Sequence, residues 1–165
     1  MARIDAHSPS RAVDNMASTL TNLLYHIVFS TKHREPIITS PIRNDLYAYM
    51  GGIIRGEGGV LLEIGGMPDH VHLVTRFKSE PSVATMLKKI KSKSSQWLND
   101  KPKRPGRFQW QVGYGAFTVS VSQLDAVRGY VQNQEQHHRR KTFQDEFRKL
   151  LERHNIAYDE RYVWD

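Results

Sequence analysis

Apolar positions along the chain follow two different spacings, one typical of strands and one typical of helices. Three runs rich in apolar and β-branched residues predict strands: Leu23 to Phe29, Val60 to Ile64, and His70 to about Phe77. Elsewhere apolar residues recur every three or four positions, which is the spacing of one helix face. We expect one helix to open at Ser40-Pro41 and end near Gly56, and a second to open at Pro81-Ser82.

The second half of the chain continues this pattern less regularly. Residues 108–121 predict extended chain, with a bend or a loop at Gly113-Tyr114-Gly115. Ser122 and Asp125 match a capping box at the start of a third helix, and Thr142 is placed to cap a fourth. The last residues, 157–165, are rich in aromatic side chains, so we expect this tail to dock on the domain.

The order of these elements predicts the fold class. A β-α-β-β-α-β succession followed by helices is the ferredoxin-like pattern, an α+β fold with an antiparallel sheet, helices on one face and additional C-terminal helices. Gly65 to Asp69 has turn chemistry, so the second and third strands should form a hairpin. Residues 1–18 lack periodicity and predict a flexible arm, whereas residues 19–165 predict a single domain.

Composition narrows the classes of function. The chain of 165 residues has no cysteine, which excludes disulfides and zinc–thiolate sites. It shows no secretory signal and no membrane-spanning run, so we expect a cytoplasmic protein without a membrane partner. The formal net charge of +7 favours an anionic partner, and nucleic acid before membrane.

The positive charge is concentrated in two segments. Eight basic residues and one acid lie between Lys88 and Arg107, and a second basic cluster covers residues 137–141. A solvated helix face would explain either segment, but a nearby metal-type site favours phosphate binding. The predicted DNA contacts are Lys88, Lys89, Lys91, Lys93, Arg104, Arg107, Arg139 and Arg140.

Two histidines stand at the start of the third predicted strand, in His70-Val71-His72. Alternate residues of a strand share a face, so both imidazoles should point the same way and form half of a divalent-metal site. The alternative is an ordinary amphipathic strand with two polar positions. Asp69 is expected to be a turn residue, and His26 a packed or hydrogen-bonded histidine of the core.

Tyr130 and Gln134 lie four residues apart on the third predicted helix, along the edge of its apolar stripe. They can therefore face a cleft between helix and sheet. Two imidazoles and an amide oxygen would bind Mg²⁺ or Mn²⁺ with positions left open for a phosphate oxygen. Tyr130 would then lie close to that phosphate, although a tyrosine considered in isolation is far more often an aromatic residue at the edge of an interface.

These motifs together resemble those of a known family. His70-Val71-His72 resembles the histidine–hydrophobe–histidine motif of HUH endonucleases, and residues 130–134 resemble the nucleophile helix of the single-tyrosine HUH transposases. This is the IS200-like group, which includes the REP-associated tyrosine transposases. Residues 110–117 and 158–165 are also similar to stretches of that family, and the resemblance runs from about Thr21 to the C-terminus.

The resemblance implies specific roles. His70, His72 and Gln134 would be the metal ligands, and Tyr130 the nucleophile that forms a covalent 5′-phosphotyrosine with single-stranded DNA. It further implies recognition of DNA hairpins and a homodimer, whose active sites combine the histidines of one subunit with the tyrosine helix of the other. No second tyrosine lies one turn from Tyr130, where the two-tyrosine relatives carry one.

Two other functions remain open from the sequence. A non-catalytic module could bind single-stranded nucleic acid through the sheet and the lysines, with structural histidines. A metal-dependent hydrolytic nuclease would release free ends without a protein–DNA adduct. Tyr114 is a possible rival nucleophile, although its glycine neighbours favour a strand bend.

Overall fold

The computed structural model describes residues 20–102, 106–139 and 141–164. Its strands and helices, in chain order, are β1 (Leu23–Ser30), α1 (Ser40–Gly56), β2 (Val60–Met67), β3 (His70–Phe77), α2 (Val83–Asn99), β4 (Gly115–Thr118), α3 (Leu124–Gln132), α4 (Gln134–His138) and α5 (Phe143–Arg153). The predicted N-terminal arm, Arg104 and Arg140 lie outside the described residues.

The four strands form one antiparallel sheet in the order β2-β3-β1-β4, which confirms the predicted α+β class. β1 is central, and its register places Val28 opposite His72 and Ser30 opposite His70. Because β2 and β3 are consecutive and paired, the predicted hairpin is confirmed as well. This register places the histidine pair at the start of β3, an inner strand of the sheet.

One face of the sheet packs against α1 and α2. Ile27, Phe29, Val71 and Leu73 point to that face and join apolar residues of the two helices in the larger core. Alternation along a strand sends the intervening residues to the opposite face. That opposite face therefore receives His26, Val28, His70 and His72.

The C-terminal helices cover this second face. A smaller apolar cluster holds Val28 and Phe117 of the sheet against α5, with Tyr158, Val163 and Trp164 of the tail packed on it. The docking predicted for the aromatic tail is thus confirmed for these side chains. Helices lie on both sides of the sheet, and the histidines are enclosed between the sheet and the C-terminal helices α3–α5.

Several predicted boundaries are wrong in detail. β2 continues to Met67, so only Pro68-Asp69 separates it from β3. Residues 108–114 are irregular apart from a single bridge between Trp110 and Thr31, because only residues 115–118 pair with β1.

The predicted cap at the start of the third helix is also wrong. Ser122 lies in a 3₁₀ turn at Val121–Gln123, and α3 begins at Leu124 without a side-chain cap. The Ser122 hydroxyl instead pairs with the hydroxyl of Ser120. The cap predicted at Ser40 is wrong as well, because α1 already begins at Ser40 and the residue at its N-cap position, Thr39, makes no capping side-chain hydrogen bond. The cap at Thr142 is confirmed, since its hydroxyl accepts from the Asp145 amide, and Ser82 at the start of α2 accepts from the Thr85 amide. In the described part of the chain, no helix is long and apolar enough to cross a membrane.

Candidate active site

The paired histidines of β3 are buried beneath the C-terminal helices, with 1% of His70 and none of His72 exposed. Their Nε2 atoms lie 3.8 Å and 3.5 Å from the same carboxylate oxygen, Oε2 of Glu146. The prediction that both imidazoles share one face is confirmed. Both rings therefore point their Nε2 atoms into one small space.

The Nδ1 atoms of His70 and His72 each contact another side chain. Nδ1 of His70 lies 2.7 Å from Oδ1 of Asp69, and Nδ1 of His72 lies 2.9 Å from Nε2 of His26. Such contacts fix the tautomer and orientation of a metal-binding imidazole. Asp69 is thus both the expected turn residue and a partner of His70, and His26 is confirmed as a buried, hydrogen-bonded histidine.

Burial keeps His26 and His72 neutral. It lowers the pKa of His72 well below its usual value, and neighbouring histidines add to this effect. It also lowers the pKa of His26 to about 3. A neutral imidazole has a free lone pair, which is the form that binds a metal ion.

Tyr130 of α3 and Gln134 of α4 approach the same space. The Tyr130 ring lies 6.0 Å from the rings of both His26 and His72, and its hydroxyl donates a hydrogen bond to the Glu146 carboxylate. Gln134 is buried, and its Nε2 donates to Oε1 of Glu146 at 3.1 Å. The two residues do not lie on one continuous helix, because α3 ends at Gln132 and α4 begins at Gln134.

Two residues that the sequence reasoning missed complete the cluster. Glu146 of α5 is 2% exposed, and Nε2 of His138 lies 2.9 Å from its Oε2 and 3.1 Å from Nε2 of His70. His70, His72, His138 and Glu146 offer ligand atoms that all lie within 4.8 Å of one another. A sequence signal existed, because Glu146 interrupts the apolar stripe of α5 formed by Phe143, Phe147 and Leu150.

The chemistry of this cluster fits a divalent cation. Nε2 of His72 and Oε1 of Gln134 are buried atoms that can accept a hydrogen bond, and neither has a partner among the described residues. Leaving such groups unpaired costs about 1–3 kcal/mol each. Burial also raises the pKa of the Glu146 carboxyl to about 7. A cation would satisfy both lone pairs and favour the ionised carboxylate.

A cavity of about 640 Å³ opens beside this cluster and reaches Tyr130 and Glu146. His137 borders it as well, with its ring 5.0 Å from the Tyr130 ring and its Nε2 3.8 Å from Oε1 of Glu146. His137 therefore stands at the edge of the cluster. The cavity supplies a route from solvent to the tyrosine hydroxyl.

Comparison with known proteins gives the family. A family model described as "Transposase IS200 like" matches residues 19–134, which is more than half of the chain. The chain belongs to the IS200-like transposase family. The resemblance identified from the sequence motifs is thereby confirmed. The match ends at Gln134, so the transposase contributes His138 and Glu146 from beyond the matched segment.

Curated relatives and solved structures agree with this assignment. The ISDra2 transposase TnpA of Deinococcus radiodurans is 24% identical over 117 residues, which cover 68% of this chain and 84% of that protein. The transposase for insertion sequence element IS200 of Salmonella typhimurium is 26% identical over 125 residues, covering 73% and 82%.

Two solved structures share the fold of this transposase. A Deinococcus radiodurans R1 protein, solved at 1.90 Å, superposes with a TM-score of 0.57 and 25% identity over 70% of this chain and 93% of its own. A REP-associated tyrosine transposase bound to a REP hairpin gives a TM-score of 0.54 and 10% identity, covering 72% of each chain.

The predicted DNA contacts of the transposase separate into two groups. On α2, Lys89 and Lys93 pair with Glu57 at 2.6 Å and 3.6 Å, and Lys91 donates to the carbonyls of Val112 and Gly113. Lys88 and Arg107 line a second cavity beside α2. The α2 residues therefore lie on the face of the sheet opposite the histidines.

Arg139, by contrast, borders a cavity together with Tyr130 and His137. Of the predicted DNA contacts that the structure describes, Arg139 alone is brought to the tyrosine. The rival nucleophile Tyr114 stands 5.9 Å from Nζ of Lys91, on the α2 side. It is therefore not brought to the histidines.

Proposed function

We propose that this transposase cleaves and rejoins single-stranded DNA through a covalent 5′-phosphotyrosine at Tyr130. One observation carries the proposal: the Tyr130 hydroxyl, the Gln134 amide and the imidazoles of His70 and His72 all converge on the Glu146 carboxylate. A nucleophile, two imidazoles and an amide oxygen in one space are the parts that metal-assisted phosphoryl transfer requires.

The proposed ligands of a Mg²⁺ or Mn²⁺ ion are Nε2 of His70, Nε2 of His72 and Oε1 of Gln134. His138 and Glu146 offer two further donor atoms in the same space. When bound, the ion polarises a phosphate oxygen and neutralises charge that develops on it. The mixed nitrogen and oxygen donors favour Mn²⁺ over Mg²⁺, because Mg²⁺ prefers oxygen ligands.

The proposed cleavage step exchanges one phosphate ester for another. The Tyr130 oxygen forms a bond to phosphorus, the bond between phosphorus and the 3′ oxygen breaks, and the 3′ hydroxyl leaves with the proton that the phenol gave up. The Glu146 carboxylate accepts the hydrogen bond of that phenol, so it is placed to receive the proton first. Because a phenol has a pKa near 10, the 5′-phosphotyrosine is readily attacked by another 3′ hydroxyl without ATP.

Hairpin-bearing single strands are the proposed substrate. The solved REP-associated relative is bound to a REP hairpin, which supports DNA with hairpins as the ligand class here. Lys88, Arg107 and Arg139 are exposed or line cavities and are proposed to contact the DNA backbone. Lys89, Lys91 and Lys93 would first have to leave Glu57 and the loop carbonyls.

A homodimer with composite active sites is also proposed, as the resemblance implies. Within one chain the tyrosine helix already lies against the histidines, so exchange of α3 between two chains would recreate the same cluster across subunits. Mixing Tyr130→Phe with His72→Ala subunits tests this. Composite sites should restore cleavage in the mixed dimer, whereas sites formed within one chain would leave the mixture inactive.

The cleavage proposal is tested with a labelled hairpin-bearing strand and Mn²⁺. The transposase should form a denaturation-resistant protein–DNA adduct, and Tyr130→Phe should abolish it. Tyr114→Phe, the same change on the opposite face, should form the adduct normally. An adduct that survives in Tyr130→Phe would disprove the nucleophile assignment.

The two alternative functions give different products in the same assay. A hydrolytic nuclease would release free ends from wild-type protein without any adduct. A non-catalytic module would bind the strand equally well with EDTA or with His70→Ala and would leave it uncut. Chelation and His70→Ala should instead both stop cleavage by the transposase.

A further inference from the structure

The cavity beside Tyr130 extends well beyond the reacting groups. Its volume of about 640 Å³ falls within the range of about 300–1,000 Å³ that small-ligand sites occupy. Ala126, Val127 and Leu150 give it an apolar wall, and Thr118, Ser120 and Gln123 give it polar edges. A planar group with a polar rim would fit between these walls.

Three cations line the same cavity: Lys141, Lys149 and Arg153. Within the described ranges, no carboxylate forms an ion pair with any of the three, whereas Lys89 and Lys93 share Glu57 and Arg148 pairs with Glu160. The charge of Lys149, and less strongly that of Arg153, lowers the pKa of Lys141 because like charges face one another. Unpaired cations that repel each other at a cavity wall attract an anion.

We propose that this cavity binds one nucleotide next to the scissile phosphodiester, with its phosphate on Lys141, Lys149 and Arg153 and its base against Ala126, Val127 and Leu150. The proposal deepens the proposed function and rests on it. Tyr130 and His137 border the same cavity, so a strand held there enters the site beside the nucleophile. These residues would position the strand and give it a base preference at the cleavage point.

The volume and lining of the cavity favour a whole nucleotide over a phosphate alone. A site for a bare phosphate needs only cations and donors at a surface, whereas this cavity continues past the cations to His26 and to the apolar side chains of α3. Apolar walls with a few polar groups at the edge are typical of sites for flat organic rings. Nucleobases bind such walls readily, and backbone phosphates bind the cations.

The phosphate half of the proposal is tested by binding in a Tyr130→Phe background, where no covalent adduct forms. Lys149→Gln with Arg153→Gln should weaken binding of the hairpin-bearing strand by about 10-fold. It should also reduce the slope of log affinity against log salt by about 0.7, for the loss of one phosphate contact on a single strand. The matched control, Lys78→Gln with Arg55→Gln, removes the same charges from exposed positions away from the cavity.

The base half is tested by an abasic scan along the strand around the cleavage point. In wild-type protein, loss of one base flanking the scissile phosphate should lower the cleavage rate by about 10-fold. Ala126→Trp fills the cavity from an exposed helix position, so the same abasic substitution should then make no difference. Ala48→Trp, an equal change on the surface of α1, should keep the wild-type response.

Two results would overturn the proposal. One is equal binding and equal salt dependence for the Lys149/Arg153 and Lys78/Arg55 double variants. The other is an abasic scan without a sensitive position in wild-type protein. Both are distinguishable from failure of the proposed function, because in that case wild-type protein would form no covalent adduct with any strand.

Discussion

The two faces of the sheet are built from the same strands, but only one of them buries a cluster of histidines. On the α1–α2 face, Ile27, Phe29 and Leu73 are buried in an apolar core. On the opposite face, His26, His70 and His72 are just as deeply buried. Apolar side chains need only close packing, whereas a buried imidazole also needs partners for its ring nitrogens.

On the histidine face, some buried polar atoms have no hydrogen-bond partner among the described residues. Nε2 of His72 and Oε1 of Gln134 lack hydrogen-bond partners within the described part of the chain. A fold does not gain stability from such an arrangement, since replacing a buried polar cluster by apolar residues is often neutral or stabilising. We infer that one face is shaped for stability and the other for binding a cation.

The largest expected effect comes from removing an imidazole. His72→Ala should lower adduct formation by at least about 100-fold. Losing a group that supports a ligand costs about 10–100-fold in metal affinity, and losing the ligand itself should cost more. The substitution should also abolish the rise in melting temperature that Mn²⁺ gives to wild-type protein. Calorimetry with and without Mn²⁺ measures this, and an unchanged Mn²⁺ response would contradict the ligand role.

The adjacent residue should show the reverse behaviour. Leu73→Ala removes a fully buried side chain from the α1–α2 core. The free energy of unfolding, measured in urea, should therefore fall by about 2–5 kcal/mol. The folded fraction should keep wild-type Mn²⁺ affinity in a titration. Equal loss of Mn²⁺ affinity in Leu73→Ala and His72→Ala would contradict the claim that only the histidine face binds the ion.

A glycine of β2 tests how closely the tyrosine helix must approach the sheet. A Cβ at Gly65 would lie 2.2 Å from the carbonyl oxygen of Val131, the residue after Tyr130. Gly65→Ala should therefore displace α3, and a shift of about 1 Å can cost about 100-fold in rate. Single-turnover cleavage at saturating Mn²⁺ measures the loss. A rate equal to that of wild-type protein would contradict the prediction, because it would show that the added methyl group does not displace Tyr130.

The smallest effect should come from a glycine of α1, the helix that packs on the apolar face of the sheet. Gly52 lies in α1, and a Cβ there meets no atom within 4 Å. Gly52→Ala should stabilise the protein by about 0.5–1 kcal/mol, because glycine loses more backbone entropy in a helix than alanine does. Thermal unfolding measures the gain, and a rate of cleavage that changes with Gly52→Ala would indicate that α1 influences the site.

The fold was accessible from the sequence because strand and helix periodicities are local properties. The spacing of His70 and His72 and the separation of Tyr130 from Gln134 were readable for the same reason, and the family assignment agrees with them. The break between α3 and α4 at Asn133 was not predicted, because Tyr130 and Gln134 also fit one unbroken helix. The short β4 depends on pairing with β1, which no local pattern specifies.

The rest of the candidate site is a product of tertiary packing. Glu146 and His138 belong to two later helices, and only the packing of α5 on the sheet brings them to the histidines. Charge counting favoured the lysines of α2, yet Glu57 pairs with two of them. Lys149 and Arg153, which form no ion pair with a described carboxylate, belong to a segment with many acids, so the density of basic residues along the sequence did not reveal them.

Electron spin-echo spectroscopy of bound Mn²⁺ tests most directly whether the histidine face is a metal centre. Nitrogen-14 modulation from directly coordinated imidazoles should be present in wild-type protein and clearly weaker in the His70→Ala, His72→Ala double variant, in which His138 can still supply a nitrogen ligand. Leu73→Ala should keep the wild-type signal. Mn²⁺ bound without nitrogen modulation in the wild type, or with the same modulation in the double variant, would contradict the account.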